Sequence, residues 1–125
     1  MRLEDVRQLI SEKTRLIEVD AKSLNQARER ASDFLMVSAL LLTYLKDLET
    51  QIVKVRTMQQ GSEANAILEA HGKNITEKKN QALLDKEFIK YRELYETLEA
   101  QKNWIKGFIK IFENAHLMYR QYSKE

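Results

Sequence analysis

No proline occurs in the 125 residues of this chain, and glycine occurs only three times. Proline makes up about 5% of an average protein and is the residue that most strongly interrupts helices. Apolar residues recur at intervals of three and four along most of the chain, as they do on the buried side of an amphipathic helix. The sequence therefore predicts an all-α fold of long helices, in the form of an antiparallel hairpin with shorter N-terminal helices and coiled-coil-like packing.

A chain of this length supports one hydrophobic core, so we expect a single helical domain over residues 1–125. Residues 1–60 would hold the N-terminal helices, residues 61–75 a connection, and residues 76–125 one long C-terminal helix. Within the connection, the segment up to His71 is readable as a two-turn helix ended by Gly72.

The N-terminal part is predicted to contain two helices. The first covers Leu3–Glu18, and the second begins near Leu24, after polar residues that can cap it. Gly61 is the expected residue at which the second helix ends, because glycine is common just past the last helical turn.

The C-terminal helix is expected to begin near Asn74 or Thr76, either of which can act as N-cap, and to continue without interruption to about Ser123. Gly107 lies within it and would permit a close helix crossing. Its predicted core-facing side repeats at intervals of three and four: Leu84, Phe88, Tyr91, Tyr95, Leu98, Lys102, Ile105, Ile109, Phe112, Ala115, Tyr119 and Tyr122.

The stretch Phe34–Leu45 is apolar at ten of its twelve positions. Twelve residues are too few to cross a hydrocarbon core, which needs about twenty, so no membrane span is predicted. A helix that is apolar on every side must be covered on every side, and so small a chain has few neighbours to offer. We therefore expect a homo-oligomer, with packing and subunit contacts at Leu40, Leu41, Leu45, Ile105, Phe108 and Phe112.

The residues that catalysis or metal binding would need do not form a recognisable set. The two histidines, His71 and His116, are 45 positions apart, there is no cysteine, and no phosphate-binding glycine motif occurs. The spacing of Glu113 and His116 matches one part of a di-iron site, but the other parts are absent. We expect no catalytic residue, no metal and no cofactor, and hence a protein that is not an enzyme.

Basic residues form two features despite a net charge of only +2. Lys54 and Arg56 lie in a stretch without acidic residues and are about 200° apart around a helix, but near a helix end both could reach one phosphate backbone. They are the leading candidates for nucleic-acid contact, with Lys46 and Lys106 as weaker ones. Lys106 is also part of a basic ridge on the last helix, which comprises Lys102, Lys106 and Lys110.

Several segments resemble UvsY, the recombination mediator family of tailed phages. The resemblance is carried by Met1–Val6, Val19–Leu24, the Lys54-Val55-Arg56 triplet that precedes Gly61, Tyr91–Leu98 and Tyr119–Tyr122. Thr57, Met58, Gln59 and Gln60 stand where the family often has aromatic residues, and the segment before Lys54 is shorter by about two helical turns.

The resemblance implies a non-enzymatic mediator that binds single-stranded DNA and helps to load a phage recombinase in place of the phage single-strand-binding protein. It also implies a ring-shaped homo-oligomer, for example a heptamer. Such a ring would repeat the Lys54–Arg56 pair, and stacking of bases could come from Tyr119 or Tyr122. The expected location is the cytoplasm, that of the host if a phage encodes the chain.

Two other classes remain open from the residues themselves. A phage structural or assembly protein, or a coiled-coil chaperone, would use long helical hairpins without binding DNA. A small helical inhibitor of a host enzyme is the third reading.

Overall fold

The computed structural model describes residues 1–70, 74–83 and 85–124, which form four α-helices and contain no strand. Helix α1 spans Leu3–Ile17, α2 spans Leu24–Glu69, α3 spans Ile75–Ala82 and α4 spans Lys86–Tyr122. The prediction of an all-α chain with long helices is confirmed.

Side chains cap the first two helices where the sequence predicts that they begin. The Asp5 carboxylate accepts a hydrogen bond from the backbone N–H of Arg2 at 3.1 Å, at the start of α1. The Ser23 hydroxyl accepts one from the backbone N–H of Gln26 at 3.1 Å, at the start of α2. Both bonds satisfy backbone donors that a helix leaves unpaired in its first turn.

Helix α2 continues through Gly61 to Glu69, so the prediction that Gly61 ends it is wrong. Ser62 and Ala66 are buried and continue the spacing of the buried positions before Gly61. Packing along that face outweighs the cost of about 1 kcal/mol that one glycine imposes on a helix. The predicted ends at His71 and Gly72 lie outside the described residues.

The predicted uninterrupted C-terminal helix is also wrong, because α3 and α4 are separate. Asn74 caps α3 by accepting a hydrogen bond from the backbone N–H of Glu77 at 2.9 Å. A second cap follows at Asp85, whose carboxylate accepts from the backbone N–H groups of Glu87 and Phe88, each at 3.0 Å. A short acidic side chain that bonds to the backbone in this way favours a helix start over a helix interior.

The chain divides into two compact units. The first unit comprises Met1–Lys46 and Asn103–Glu125, and the second comprises Asp47–Lys102. In the first unit, α1 and the adjoining parts of α2 and α4 form a three-helix bundle. The rings of Phe34 and Phe112 stack in its core with their centroids 5.9 Å apart.

The predicted core-facing side of the C-terminal helix is largely confirmed. Seven of its residues are buried: Phe88, Leu98, Ile105, Ile109, Phe112, Ala115 and Tyr119. Tyr91, Tyr95 and Lys102 are half-buried, Tyr122 is exposed, and Leu84 is outside the described residues. A close crossing at Gly107 is not observed, since a Cβ atom added there would meet no atom within 4 Å.

Only one side of the apolar stretch Phe34–Leu45 is covered by its own unit. Phe34, Val37, Leu41 and Leu45 are buried, whereas Leu35, Met36 and Leu42 are exposed. Among the six residues predicted for packing and subunit contact, the chain itself buries Leu41, Leu45, Ile105 and Phe112, while Phe108 is half-buried and Leu40 is 39% exposed. The four buried residues are therefore core residues of one chain.

Apolar burial holds α1 on the bundle. Val6 and Ile10 are 0% and 4% exposed, and full burial of such side chains is worth about 1.5–3 kcal/mol each. The ion pair between Lys13 and Asp33, with 2.8 Å between its atoms, is partly exposed. Exposed ion pairs contribute only about 0–1 kcal/mol, so the ion pair contributes less to this packing than the apolar side chains do.

A buried polar cluster fastens the segment between α1 and α2 to α4. The Arg30 guanidinium donates to the carbonyl oxygen of Val19 and to the Tyr119 hydroxyl, the latter at 3.1 Å. The Tyr119 hydroxyl donates in turn toward the carbonyl oxygens of Leu16 and Val19, at 3.3 and 3.0 Å. These carbonyls lie at and just past the C-terminal end of α1, where a helix leaves its acceptors unpaired and favours a positive charge.

In the second unit, α2 and α4 contribute most of the buried apolar residues. Leu48, Ile52 and Val55 of α2 are buried, as are Phe88 and Leu98 of α4. Ala66 and Ala82 are also buried and line a shallow cavity between the end of α2 and α3.

Candidate nucleic-acid interface

Lys54 and Arg56 are both exposed on α2 in the second unit, with the buried Val55 between them. The Arg56 guanidinium packs on α4, where it donates to the Tyr95 hydroxyl at 3.1 Å and lies 5.7 Å from the centroid of that ring. Lys54 lies about 200° away around the helix, so the two cations are on opposite flanks of the buried face. The two cations could reach one phosphate backbone only near a helix end. Helix α2 ends at Glu69, roughly 20 Å beyond Arg56.

Lys46 and Lys106 belong to the first unit. Lys46 is exposed and has an interaction partner within the chain. Lys106 is exposed on α4, and Lys110 is exposed one turn further on. The structure therefore does not bring the four predicted residues to a single site within either unit.

The basic ridge predicted on α4 is weakened at its first member. Lys102 forms a salt bridge with Glu99, with 2.8 Å between the two atoms. The hydrogen bond to Glu99 raises the pKa of Lys102 above its ordinary value, while desolvation acts in the opposite direction. Lys102 is therefore already paired, which leaves Lys106 and Lys110 as the exposed cations of the ridge.

A groove between α1 and α4 combines cations with aromatic rings. It has a volume of about 390 Å³ and lies entirely within the first unit. Helix α1 and the residue that follows it line the groove with Arg7, Ile10, Ser11, Thr14, Arg15 and Glu18, and α4 lines it with Trp104 and Phe108. Neither α1 nor these two aromatic residues were predicted to contact nucleic acid.

The aromatic wall of the groove is held in place by ring packing. Trp104 meets Phe108 edge to face, with centroids 5.3 Å apart and an angle of 69° between the planes. Phe108 in turn lies 6.4 Å from the buried Phe112. Trp104 nevertheless stays 37% exposed, so a planar group that enters the groove can reach it.

The cationic wall comes from α1. Arg7 and Arg15 are two turns apart on this helix, a distance of about 12 Å along its axis, and both are exposed. Glu18 lines the same groove and reduces its positive charge at one end. A guanidinium binds phosphate through two parallel N–H groups, so the groove offers two phosphate positions beside an accessible aromatic ring.

The distribution of charge between the units also favours the first. Residues 1–46 and 103–125 contain 12 Lys and Arg against 9 Asp and Glu, whereas residues 47–102 contain 9 against 10. The predicted pair Lys54 and Arg56 thus lies in the more acidic unit.

Of the two tyrosines proposed for stacking, Tyr119 is not accessible. It is 5% exposed and engaged with Arg30 and the backbone of the α1–α2 segment, so it is a core residue. Tyr122 is exposed and lines a separate cavity with Ile17 and Asp20.

A pattern in the sequence could have indicated the groove. Beside the core-facing side, with which it shares Ala115 and Tyr122, α4 carries a second apolar stripe with alternating spacings of four and three: Trp104, Phe108, Ile111, Ala115, Met118 and Tyr122. Two such stripes on one helix predict contact with two neighbours. The sequence does not show that α1 is the neighbour that brings Arg7 and Arg15 to this stripe, because that depends on how α1 packs.

Within the described residues, no group of three or more His, Cys, Asp or Glu side chains is placed to hold a metal ion. None of the described helices is long and apolar enough to span a membrane. No protein-family model matches the chain, and no curated protein or solved structure matches it significantly.

Proposed function

We propose that this chain is a non-enzymatic protein that binds single-stranded DNA through the α1–α4 groove. The observation that carries the proposal is the exposed Trp104, packed on Phe108 and facing a helix that carries Arg7 and Arg15. We further propose, from the resemblance to the UvsY family, that it acts as a recombination mediator.

The groove combines two sources of affinity for a single strand. Stacking of a base on an aromatic side chain is worth about 1–3 kcal/mol, and Trp104 presents such a surface. Arg7 and Arg15 would contact the phosphates on either side of the stacked base. A duplex keeps its bases stacked on one another, so it would gain only the phosphate contacts.

Self-association is part of the proposal. A single groove with two arginines would bind DNA weakly, and a ring of copies would raise the effective concentration of the remaining grooves once one is occupied. The phage recombinase and the phage single-strand-binding protein are the protein partners that the resemblance implies.

Trp104 is the only tryptophan of the chain and provides a direct readout. We expect its fluorescence to fall on titration with oligothymidylate, because a stacked base quenches the indole. The affinity should fall with salt by about 0.7 log units per log unit of salt for each phosphate neutralised. The double variant Arg7→Ala, Arg15→Ala should bind at least about tenfold more weakly and show a smaller salt slope.

Two control variants separate this site from its rivals. Lys22 and Arg28 are exposed cations of the same unit that do not line the groove, so the variant Lys22→Ala, Arg28→Ala should keep its affinity. If the variant Lys54→Ala, Arg56→Ala loses binding while the groove variant keeps it, the DNA site is on α2. Absence of binding by every variant and by the wild type would refute the function itself.

A second candidate function is that of a structural, assembly or chaperone protein. It is favoured by the exposed apolar residues Leu35, Met36 and Leu42 on α2, since exposed apolar patches commonly mark protein contacts. An oligomer detected by light scattering, together with absence of oligonucleotide binding, would support this candidate over the first.

A further inference from the structure

The α2–α4 pair of the first unit has one side that α1 leaves open. Helix α1 covers the other side, where Lys13 pairs with Asp33 and where the groove reaches Trp104. On the open side, His116 of α4 joins the two helices, since its Nδ1 lies 2.7 Å from the carbonyl oxygen of Ala31. Positions on the open side follow from the helical repeat of 100° per residue.

Helix α2 contributes an apolar stripe to this side. Leu35, Ala39 and Leu42 follow the spacing i, i+4, i+7 and are all exposed, with Leu35 at 52% and Leu42 at 42%. These residues are separated from the buried positions Phe34 and Leu41 by about 80–160° around the helix. The stripe is therefore a second apolar side of α2, distinct from the side that faces the core.

Helix α4 contributes a row of cations beside the stripe. Lys106, Lys110 and Arg120 are exposed on the same side of α4, and no ion pair is formed by them among the residues that the structure describes. Glu113 is exposed on the same side, between Lys110 and Arg120, and is the one acidic residue of α4 after position 103, so the row has three cations against one acid. We define the open face as Leu35, Ala39, Leu42, Lys106, Lys110 and Arg120.

We propose that the open face binds an amphipathic α-helix of a partner protein, whose apolar stripe is flanked by acidic residues. The partner helix would lie along α2 and α4 in the position of the fourth helix of a bundle. Its apolar side chains would cover Leu35 and Leu42, as in other helix-in-groove complexes. Its carboxylates would face the cations of α4, and such charge complementarity sets partner choice and orientation.

Charge argues against a second copy as the occupant, and apolar exposure argues against a nucleic acid. Two copies of this chain related by a two-fold axis perpendicular to the helices would bring their cationic rows together, which is unfavourable. A nucleic acid would satisfy the cations but would leave Leu35, Ala39 and Leu42 exposed to water. An acidic amphipathic helix both covers the apolar stripe and neutralises the row.

The test uses two synthetic helical peptides of about 18 residues, roughly 27 Å long. Both carry leucines at every third and fourth position, and the flanking residues are Glu in one and Lys in the other. Fluorescence anisotropy with the full chain should show that the Glu peptide binds at least about tenfold more tightly than the Lys peptide. The variant Lys106→Glu, Lys110→Glu should bind the Lys peptide more tightly than the Glu peptide. A variant that merely perturbed the fold would weaken binding of both peptides and would not exchange their order.

The apolar stripe is tested separately. The variant Leu35→Glu, Leu42→Glu should weaken binding of the Glu peptide at least about tenfold, because it adds like charge and removes apolar contact. Val53→Glu is the matched control, since Val53 is 65% exposed on α2 but belongs to the second unit. Circular dichroism should confirm that each variant keeps its helix content.

Three outcomes would overturn the proposal. Equal binding of the two peptides would remove the charge argument. A wild-type dimer that Leu35→Glu with Leu42→Glu converts to monomers would make a second copy the occupant. Loss of oligothymidylate binding in Lys106→Glu with Lys110→Glu, with peptide binding unchanged, would assign the row to nucleic acid. The α1–α4 groove is not altered by these variants, so its DNA binding is tested independently.

Discussion

Leu41 and Leu42 show at the residue scale how neighbouring side chains of one type acquire different roles. They are adjacent in an apolar stretch, but Leu41 is fully buried against the core of the first unit whereas Leu42 is on the open face. A step of 100° around the helix separates the two environments. The hydrophobicity of the stretch predicts that apolar contacts form there, but it does not assign each leucine to a side.

The first prediction compares alanine variants of these two residues. Leu41→Ala should lower the free energy of unfolding by about 2–5 kcal/mol, because it leaves a cavity in the core. Leu42→Ala should change it by no more than about 0.5 kcal/mol, as is usual for surface positions. Urea denaturation followed by circular dichroism measures both. Comparable losses from the two variants would mean that Leu42 is buried in solution, for example by a second copy of the chain.

At the scale of the helices, sequence patterns located starts better than ends. Caps at Ser23, Asn74 and Asp85 are local hydrogen bonds between a side chain and the backbone a few residues away, and two of the three were expected from residue type. Gly61 is predicted to end α2, but the low helix propensity of glycine is outweighed by the packing of Ser62 and Ala66 beyond it.

The second prediction follows from the helical position of Gly61. A Cβ atom added there would meet no neighbouring atom within 4 Å, and no described glycine has positive φ. Gly61→Ala should therefore raise the free energy of unfolding by about 0.5–1 kcal/mol, through helix propensity and a less flexible unfolded chain.

The reverse change provides the control for Gly61. Ala64 is exposed in the same helix three residues later, and Ala64→Gly should lower the stability by about the same 0.5–1 kcal/mol. A destabilising effect of Gly61→Ala in thermal denaturation would show that α2 ends near Gly61 in solution.

At the scale of the whole molecule, contacts between residues far apart in sequence decide how α1 is placed. Tyr119 and Arg30 are 89 positions apart, and Tyr119 and Val19 are 100 apart, yet their side-chain and backbone atoms form one buried cluster. In the described part of the chain, no carboxylate pairs with Arg30. Its charge is instead stabilised by the carbonyl oxygen of Val19, by the Tyr119 hydroxyl and by the Tyr119 ring, whose centroid is 5.5 Å away.

The third prediction removes one oxygen from this cluster. Tyr119→Phe should lower the free energy of unfolding by about 1–3 kcal/mol, because Arg30 and the carbonyl oxygens of Leu16 and Val19 lose a partner while still buried. Tyr122→Phe serves as the control, since Tyr122 is 54% exposed and should be nearly neutral. Protection of the α1 amides from hydrogen exchange should fall in the first variant alone. An unchanged exchange pattern would contradict the anchoring role of Tyr119.

The fold class and the core-facing side of α4 follow from the order of residues, because the absence of proline and the three-to-four spacing can be read along the chain. The caps at Ser23 and Asn74 follow from it as well, since they depend on atoms only a few residues apart. Contacts between helices decided which side of the apolar stretch is buried, that Arg56 packs on Tyr95, and that Arg7 and Arg15 face Trp104. Those relations depend on where one helix lies against another, and helix packing is set by the summed contacts of many distant residues, which periodicity along one helix does not encode.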